Sequence, residues 1–307
     1  MVKTIKIFDN LRLFNLILNL RDKSKILYLK KSSTVSFLSF FFQLKKYEKL
    51  NWNLIDNITD GKKIITSIIE NKEVDNFVYD FVEDIKKKIK IEKNFLHYLV
   101  KYLSNNKNLI GEMSIENFIV FYKSSNFLYK DYEIIFHLER SEFDQIIKKK
   151  FQNKRNTFNF YSNLSKIYIF KRFSFLIKGL IYLFKTRDYK NYNNKSICFM
   201  DSYEINNPKF FLSNQYIYDQ TLAIKYKSKE IGNEVIDINH YITIKNYLSL
   251  ILNILRNYNF FQENQLISYL NIIFNYEKNI FLTFFKKNNI KIFLSSFIVQ
   301  PYVSSAV

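Results

Sequence analysis

Residues 25–47 read K-I-L-Y-L-K-K-S-S-T-V-S-F-L-S-F-F-F-Q-L-K-K-Y, and their order of residue types decides the fold class. Lys25–Leu29 is short, apolar and bounded by polar residues, as expected of a buried strand. Lys30-Lys31-Ser32-Ser33-Thr34 follows as a turn, and Val35–Tyr47 continues as an apolar helix with Thr34 or Ser33 as its N-cap. Strand, loop and helix in that order open an α/β unit.

Working outward, residues 8–22 place Leu13, Leu16, Ile17 and Leu20 on one helical face, with Arg12, Asn15, Asn19 and Asp22 on the other. The spacing predicts an amphipathic helix. Asp60-Gly61 breaks the chain, and a long helical pattern then runs from about Val74 to Leu103. Phe118–Tyr122 and Glu133–Leu138 are β-branched and aromatic, so both are expected as strands. Arg187–Lys195 is polar and lacks periodicity, which marks a linker, and Ser196–Met200 reads as a new buried strand beyond it. Helices are expected over Tyr241–Tyr258 and Gln265–Lys286, and a strand over 290–295. Val303–Val307 has the look of a further helix cut off after about one turn, so a second α/β domain is expected to be incomplete. The organisation is a first domain over 1–186, a linker at 187–195 and a second domain over 196–307.

Scarce residues exclude whole classes of function. The 307 residues hold four glycines, at positions 61, 111, 179 and 232. No two lie within ten residues of one another, so neither G-x-G-x-x-G nor a Walker loop exists. Cys198 is the single cysteine, which rules out a disulfide framework and points to a reducing compartment. His97, His137 and His240 are isolated, and no metal site or cofactor is expected. With 47 Lys+Arg against 28 Asp+Glu the net charge is +19, yet Lys, Asn, Ile, Phe and Tyr dominate as they do under AT-rich coding. Part of the charge is therefore mutational bias. Lys far outnumbers Arg and no nucleic-acid motif is present, which argues against base reading. A non-catalytic protein that uses its charge to hold nucleic acid or another polyanion is the competing reading.

Three groups of residues could do chemistry. His137, Glu139, Arg140, Glu142 and Asp144 follow the E-I-I-F-H-L strand, and the carboxyl ends of strands are where α/β proteins place ligands, so His137 or Glu139 could serve as general base. An ordinary loop leading into a helix has the same composition. Asp201 and Glu204 hold the corresponding place after the strand at 196–200. Lys30, Ser32, Ser33 and Thr34 could hold an anion at a helix N-terminus, although capping alone accounts for the hydroxyls. On the helix at 164–185, Lys171, Lys178 and Lys185 share one stripe, either as the wet edge of a core helix or as contacts to an anionic membrane. No run reaches the roughly 20 apolar residues a membrane span needs.

The segment Tyr276–Val307 reads Y-E-K-N-I-F-L-T-F-F-K-K-N-N-I-K-I-F-L-S-S-F-I-V-Q-P-Y-V-S-S-A-V. A helix with spaced aromatics, a strand and a Ser-rich loop in this order resemble bacterial surface-polysaccharide biosynthesis proteins of the glycosyltransferase-like, two-Rossmann-domain (GT-B) kind. The resemblance implies two Rossmann-like modules, helix-rich, the second incomplete here. It further implies a nucleotide-sugar donor held mainly by the second module and a glycan or glycolipid acceptor at the first. The single cysteine and the basic stripe of the helix at 164–185 give the expected location: cytoplasmic, and peripheral on the inner face of the membrane if that stripe meets lipid. K-K-S-S-T lacks the glycines such proteins carry in the first strand-helix loop.

Overall fold

The computed structural model describes residues 3–19, 22, 24–42, 47–50, 59–88, 92–106, 109–111, 113–161, 167–184, 197–200, 221–224, 235–236, 238–256 and 264–295. Its contacts divide the chain into two compact units, one of 1–91 with 99–165 and one of 92–98 with 166–307. The helix at 164–185 thus counts with the second unit. The expected linker at 187–195, the residues Asp201, Glu204 and Lys185, and the expected terminal helix lie outside the described residues.

The first unit is built on a five-stranded parallel sheet. In chain order its elements are β1 (Lys3–Leu11), α1 (Leu13–Leu18), β2 (Lys25–Lys31), α2 (Ser33–Phe42), β3 (Tyr47–Lys49), α3 (Thr59–Glu70), α4 (Glu73–Lys88), α5 (Lys93–Asn105), α6 (Ile115–Leu128), β4 (Tyr132–Glu139), α7 (Asp144–Phe151) and β5 (Asn156–Tyr161). Residues 93–98 of α5 count with the other unit. The sheet order is β3-β2-β1-β4-β5, the doubly wound order of a Rossmann-like α/β sheet. β1 lies at its centre, with Ile7 opposite Leu27 on one side and Phe136 on the other. Ile5, Ile7, Phe8 and Leu11 are buried, as a central parallel strand with helices on both faces requires.

Several elements differ from the sequence expectations. Residues 8–11 complete β1, and the helix after it is confined to Leu13–Leu18. The alternation of Lys3–Ile7, realised by pairing on both edges, outweighs the helical spacing that begins at Leu13. Phe118–Tyr122 belongs to α6. Ser114 caps that helix by accepting from Asn117 N–H at 3.0 Å, and Ile115, Phe118, Ile119 and Phe121 are buried at helical spacing. The pattern from Val74 to Leu103 resolves into two helices, α4 and α5. Asp60 and Gly61 lie in the first turn of α3. Helix α2 ends at Phe42, Tyr47 opens β3, and the cap of α2 is Ser32, whose Oγ accepts from Val35 N–H at 3.4 Å. The strand expected at 133–138 is present as β4.

The core of this unit is aromatic. Phe136 stacks on Phe158 with centroids 4.9 Å apart, Phe121 meets Phe136 edge-on, and Phe118 and Tyr122 close on Phe151. Within this layer Asn156 Nδ2 donates to Tyr122 OH and to Asn126 Oδ1.

The second unit carries a parallel sheet of order β8-β7-β6-β9, formed by β6 (Ile197–Met200), β7 (Thr221–Ile224), β8 (Val235–Ile236) and β9 (Ile292–Ser295). Its helices are α8 (Ile167–Phe184), α9 (Ile244–Arg256) and α10 (Gln265–Asn288). The 24 residues of α10 bury Leu266, Leu270, Phe274, Ile280, Phe281 and Phe284. Asn289 at φ 48° ends the helix in the left-handed conformation that Asn tolerates, and the chain turns into β9. Gly179 of α8 lets Tyr247 and Tyr276 approach, since a Cβ there would lie 3.0 Å from Tyr247.

Truncating the stacked pair tests this packing. Phe136→Ala is expected to lower unfolding stability by about 3–5 kcal/mol in urea titration, while Ile69→Ala on the exposed side of α3 changes it by less than about 0.5 kcal/mol.

Candidate functional site

The strand order reverses between β1 and β4: strands β2 and β3 extend to one side of β1, and β4 and β5 to the other. Ligands of doubly wound sheets bind outside the carboxyl ends of the strands at this position. Four polar residues converge there. Asp9 lies near the end of β1, Arg12 just beyond it, Glu139 at the end of β4 and Tyr161 at the end of β5.

Asp9 is 5% exposed and accepts three hydrogen bonds. Oδ2 takes Glu139 N–H at 2.7 Å, and Oδ1 takes Asn10 N–H at 2.6 Å and the Tyr161 hydroxyl at 2.5 Å. Tyr161 also approaches the Asn10 carbonyl at 2.9 Å. Gly111, at φ +60°, closes over the carboxyl; a Cβ there would lie 2.3 Å from Asp9 Oδ2, so glycine is the residue the contact allows. Burial pushes Asp9 up to about 6, against the pull of its three donors and with the help of the Glu139 charge. Burial, then the charge of Asp9, drives the Tyr161 hydroxyl well above its ordinary value, so it stays a donor.

The side chain of Glu139 is buried and ion-paired to Nη2 of Arg12, whose side chain remains one-third exposed. Arg12 is therefore the part of the cluster that reaches solvent. Ser32 N–H donates to the Leu11 carbonyl at 3.1 Å, which sets the start of α2 beside the end of β1. Ser33 and Thr34 are exposed on the first turn of α2, and Lys30 is exposed at the end of β2. Asp144 opens α7, accepts Ser141 N–H at 2.9 Å and is raised to about 6 by burial.

Of the residues expected from sequence, Glu139 belongs to this cluster. His137, two residues earlier on β4, instead stacks on Phe8 at 4.3 Å with its Nε2 buried and without a hydrogen-bond partner. Burial, then the Lys6 charge, lowers it to about 4, which leaves a neutral imidazole that is a weak base at neutral pH. Lys178 is half-buried with Nζ 5.9 Å from the Tyr276 ring centroid, and Lys171 lies in the same helix. The sequence reading does not place Asp9, Arg12, Tyr161 or Gly111 at a site. The alternation of Lys3–Ile7 was the signal for them, because a strand there puts Asp9 at a carboxyl end. No group of His, Cys, Asp or Glu suited to a metal ion occurs among the described residues.

Chemically, the cluster joins a carboxyl that titrates near neutrality to a guanidinium that meets solvent. The first can hold a proton taken from a hydroxyl, and the second can hold an anion.

The titrations make stability depend on pH in opposed ways. Asp9 binds its proton more tightly folded than unfolded, so its contribution is full below about pH 4 and is lost as pH rises towards 6. His137 binds less tightly folded, so its contribution grows from about pH 4 to 6.5. Each amounts to about 3 kcal/mol across the window. His137→Phe keeps the stack on Phe8 and should make stability fall more steeply between pH 4 and 6.5, whereas Asp9→Asn should tilt the profile the other way. Urea titrations at stepped pH read both slopes. No family model matches the chain, and neither a curated protein nor a solved structure matches it.

Proposed function

We propose that the protein is a glycosyltransferase-like member of surface-polysaccharide biosynthesis, moving a sugar from a nucleotide-sugar to a membrane-associated glycan or glycolipid acceptor. The observation that carries this reading is the Asp9–Tyr161–Glu139–Arg12 cluster at the β1/β4 switch point. In such a transfer the acceptor hydroxyl oxygen bonds to the anomeric carbon as the bond from that carbon to the phosphate oxygen breaks. A nucleoside phosphate leaves, and the hydroxyl proton needs a base. A carboxyl at about 6 is matched to that task near neutral pH. Arg12 would hold an acidic group of the acceptor, and the acceptor would lie on the first unit. The parallel sheet of the second unit, with α10 leading into β9 over the segment of resemblance, suits a donor-side module of GT-B type.

The test is a panel of uridine, guanosine, thymidine and cytidine nucleotide-sugars, followed by thermal shift and by release of nucleotide. At least one is expected to raise Tm and to be turned over. Asp9→Asn should then cut turnover by roughly a hundredfold or more while the Tm shift by the donor persists. A panel in which none raises Tm and none is cleaved removes the reading.

A further inference from the structure

Helices α8 and α9 lie side by side on α10. Tyr247 OH donates to the Leu176 carbonyl at 3.2 Å, and His240, just ahead of α9, meets Tyr182 edge-on at 5.3 Å. Gly179 faces inward against Tyr247 and Tyr276. On the opposite side of α8, Ile177, Leu180, Ile181 and Phe184 are exposed, Phe184 by 82%. At 3.6 residues per turn these four cover about 100° of the helix. Helix α9 repeats the pattern: Ile244, Leu248, Leu252 and Leu255 are exposed over about 80°, while Leu250 is buried on the other side.

These eight residues are half of the 16 exposed large apolar side chains among the described residues, although the two helices hold 18 and 13 residues. Scatter from apolar-rich composition does not concentrate in this way. The charge of the two helices has one sign. Lys171, Arg172, Lys178, Lys245 and Arg256 give five cations, and neither helix contains an Asp or Glu. Helical periodicity sets Lys178 along the border of the α8 stripe and Lys245 along the border of the α9 stripe.

We infer that the exposed face of α8 and α9 seats the protein on an anionic bilayer, with the two apolar stripes in the headgroup and acyl boundary and the flanking cations against lipid phosphate. An apolar stripe edged by basic residues is the make-up of an interfacial helix. No described helix is long and apolar enough to cross a membrane, so the contact is with the surface. A second copy of the chain is the poorer occupant, because the charges of the two helices have one sign and neither helix supplies an acid to answer them across a face-to-face pairing. The inference stands apart from the proposed transfer reaction, since it uses none of the residues at the β1/β4 switch point.

Co-sedimentation with vesicles of phosphatidylcholine alone, and of phosphatidylcholine and phosphatidylglycerol in equal parts, tests it. The protein should pellet with the mixed vesicles, less so as salt rises, and far less with phosphatidylcholine alone. The fourfold change Leu180→Asn, Ile181→Asn, Leu248→Asn and Leu252→Asn should weaken binding at least roughly tenfold, with Tm unchanged because these side chains are exposed. Should that variant not fold, Phe184→Ser with Ile244→Ser gives the same readout from the two most exposed positions of their stripes. Ile69→Asn, an exposed position outside both helices, should leave binding unaltered. Wild-type protein that ignores mixed vesicles, a folded variant that binds as wild type does, or an equal loss with Ile69→Asn overturns the inference. A wild-type dimer in sedimentation velocity that the fourfold change dissolves, without vesicle binding, assigns the face to self-association and overturns it as well.

Discussion

The first unit depends on the burial of one carboxyl group. Asp9 lies on the central strand, and its two oxygens are tied to the ends of β4 and β5 through Glu139 N–H and the Tyr161 hydroxyl. Taking a carboxylate out of water costs several kcal/mol unless every lone pair finds a donor. Three donors answer that demand here, and Gly111 lies close over the carboxyl. The same contacts fix the carboxyl edge at the place where the sheet order reverses. Structure and chemical potential thus come from one group: the burial that makes Asp9 need its partners is also what raises its proton affinity into the neutral range.

Around that point the sequence was legible unevenly, and the reasons are physical. Strand β4 was readable because E-I-I-F-H-L is β-branched and aromatic between polar loops, and α10 because its apolar positions recur over more than six turns. β1 was not, because Leu13, Leu16 and Ile17 continue straight on from it at helical spacing and drew residues 8–11 into the same reading. Only the pairing of β1 with both β2 and β4 settles that boundary. The candidate site suffered with it, since Asp9 and Arg12 gain meaning from standing at a strand end. His137 shows the converse. It was expected at the site from its place near the end of a strand, but it stands two residues short of Glu139, where the register sets it opposite Phe8.

Scarcity of glycine, which excluded the usual phosphate loops, also shows where glycine is irreplaceable. Gly111 combines a positive φ with an oxygen 2.3 Å from where a Cβ would be, and Gly179 admits two tyrosines to the face of α8. Two of the four glycines are thus held by contact. At the β2–α2 turn Ser32 joins the elements with its own groups, donating through N–H to β1 and capping α2 through Oγ.

The basic charge can be judged the same way, by where acid is missing. With 28 Asp+Glu in 307 residues, a run of 43 residues would carry about four by composition; 145–187 carries none, against 11 Lys+Arg. AT-rich coding explains abundant lysine, but the codons for Asp and Glu suffer no matching penalty along one stretch alone. The run includes all of β5 and α8. In its first part the cations are absorbed by the first unit: Lys150 pairs with Asp80, and Arg155 donates to the Tyr129 and Tyr132 carbonyls. In α8 the chain supplies no acidic residue of its own, and the exposed surface beside the lysines is apolar. A protein surface that is apolar and cationic at once gains little from water alone, and a lipid interface satisfies both properties with one contact.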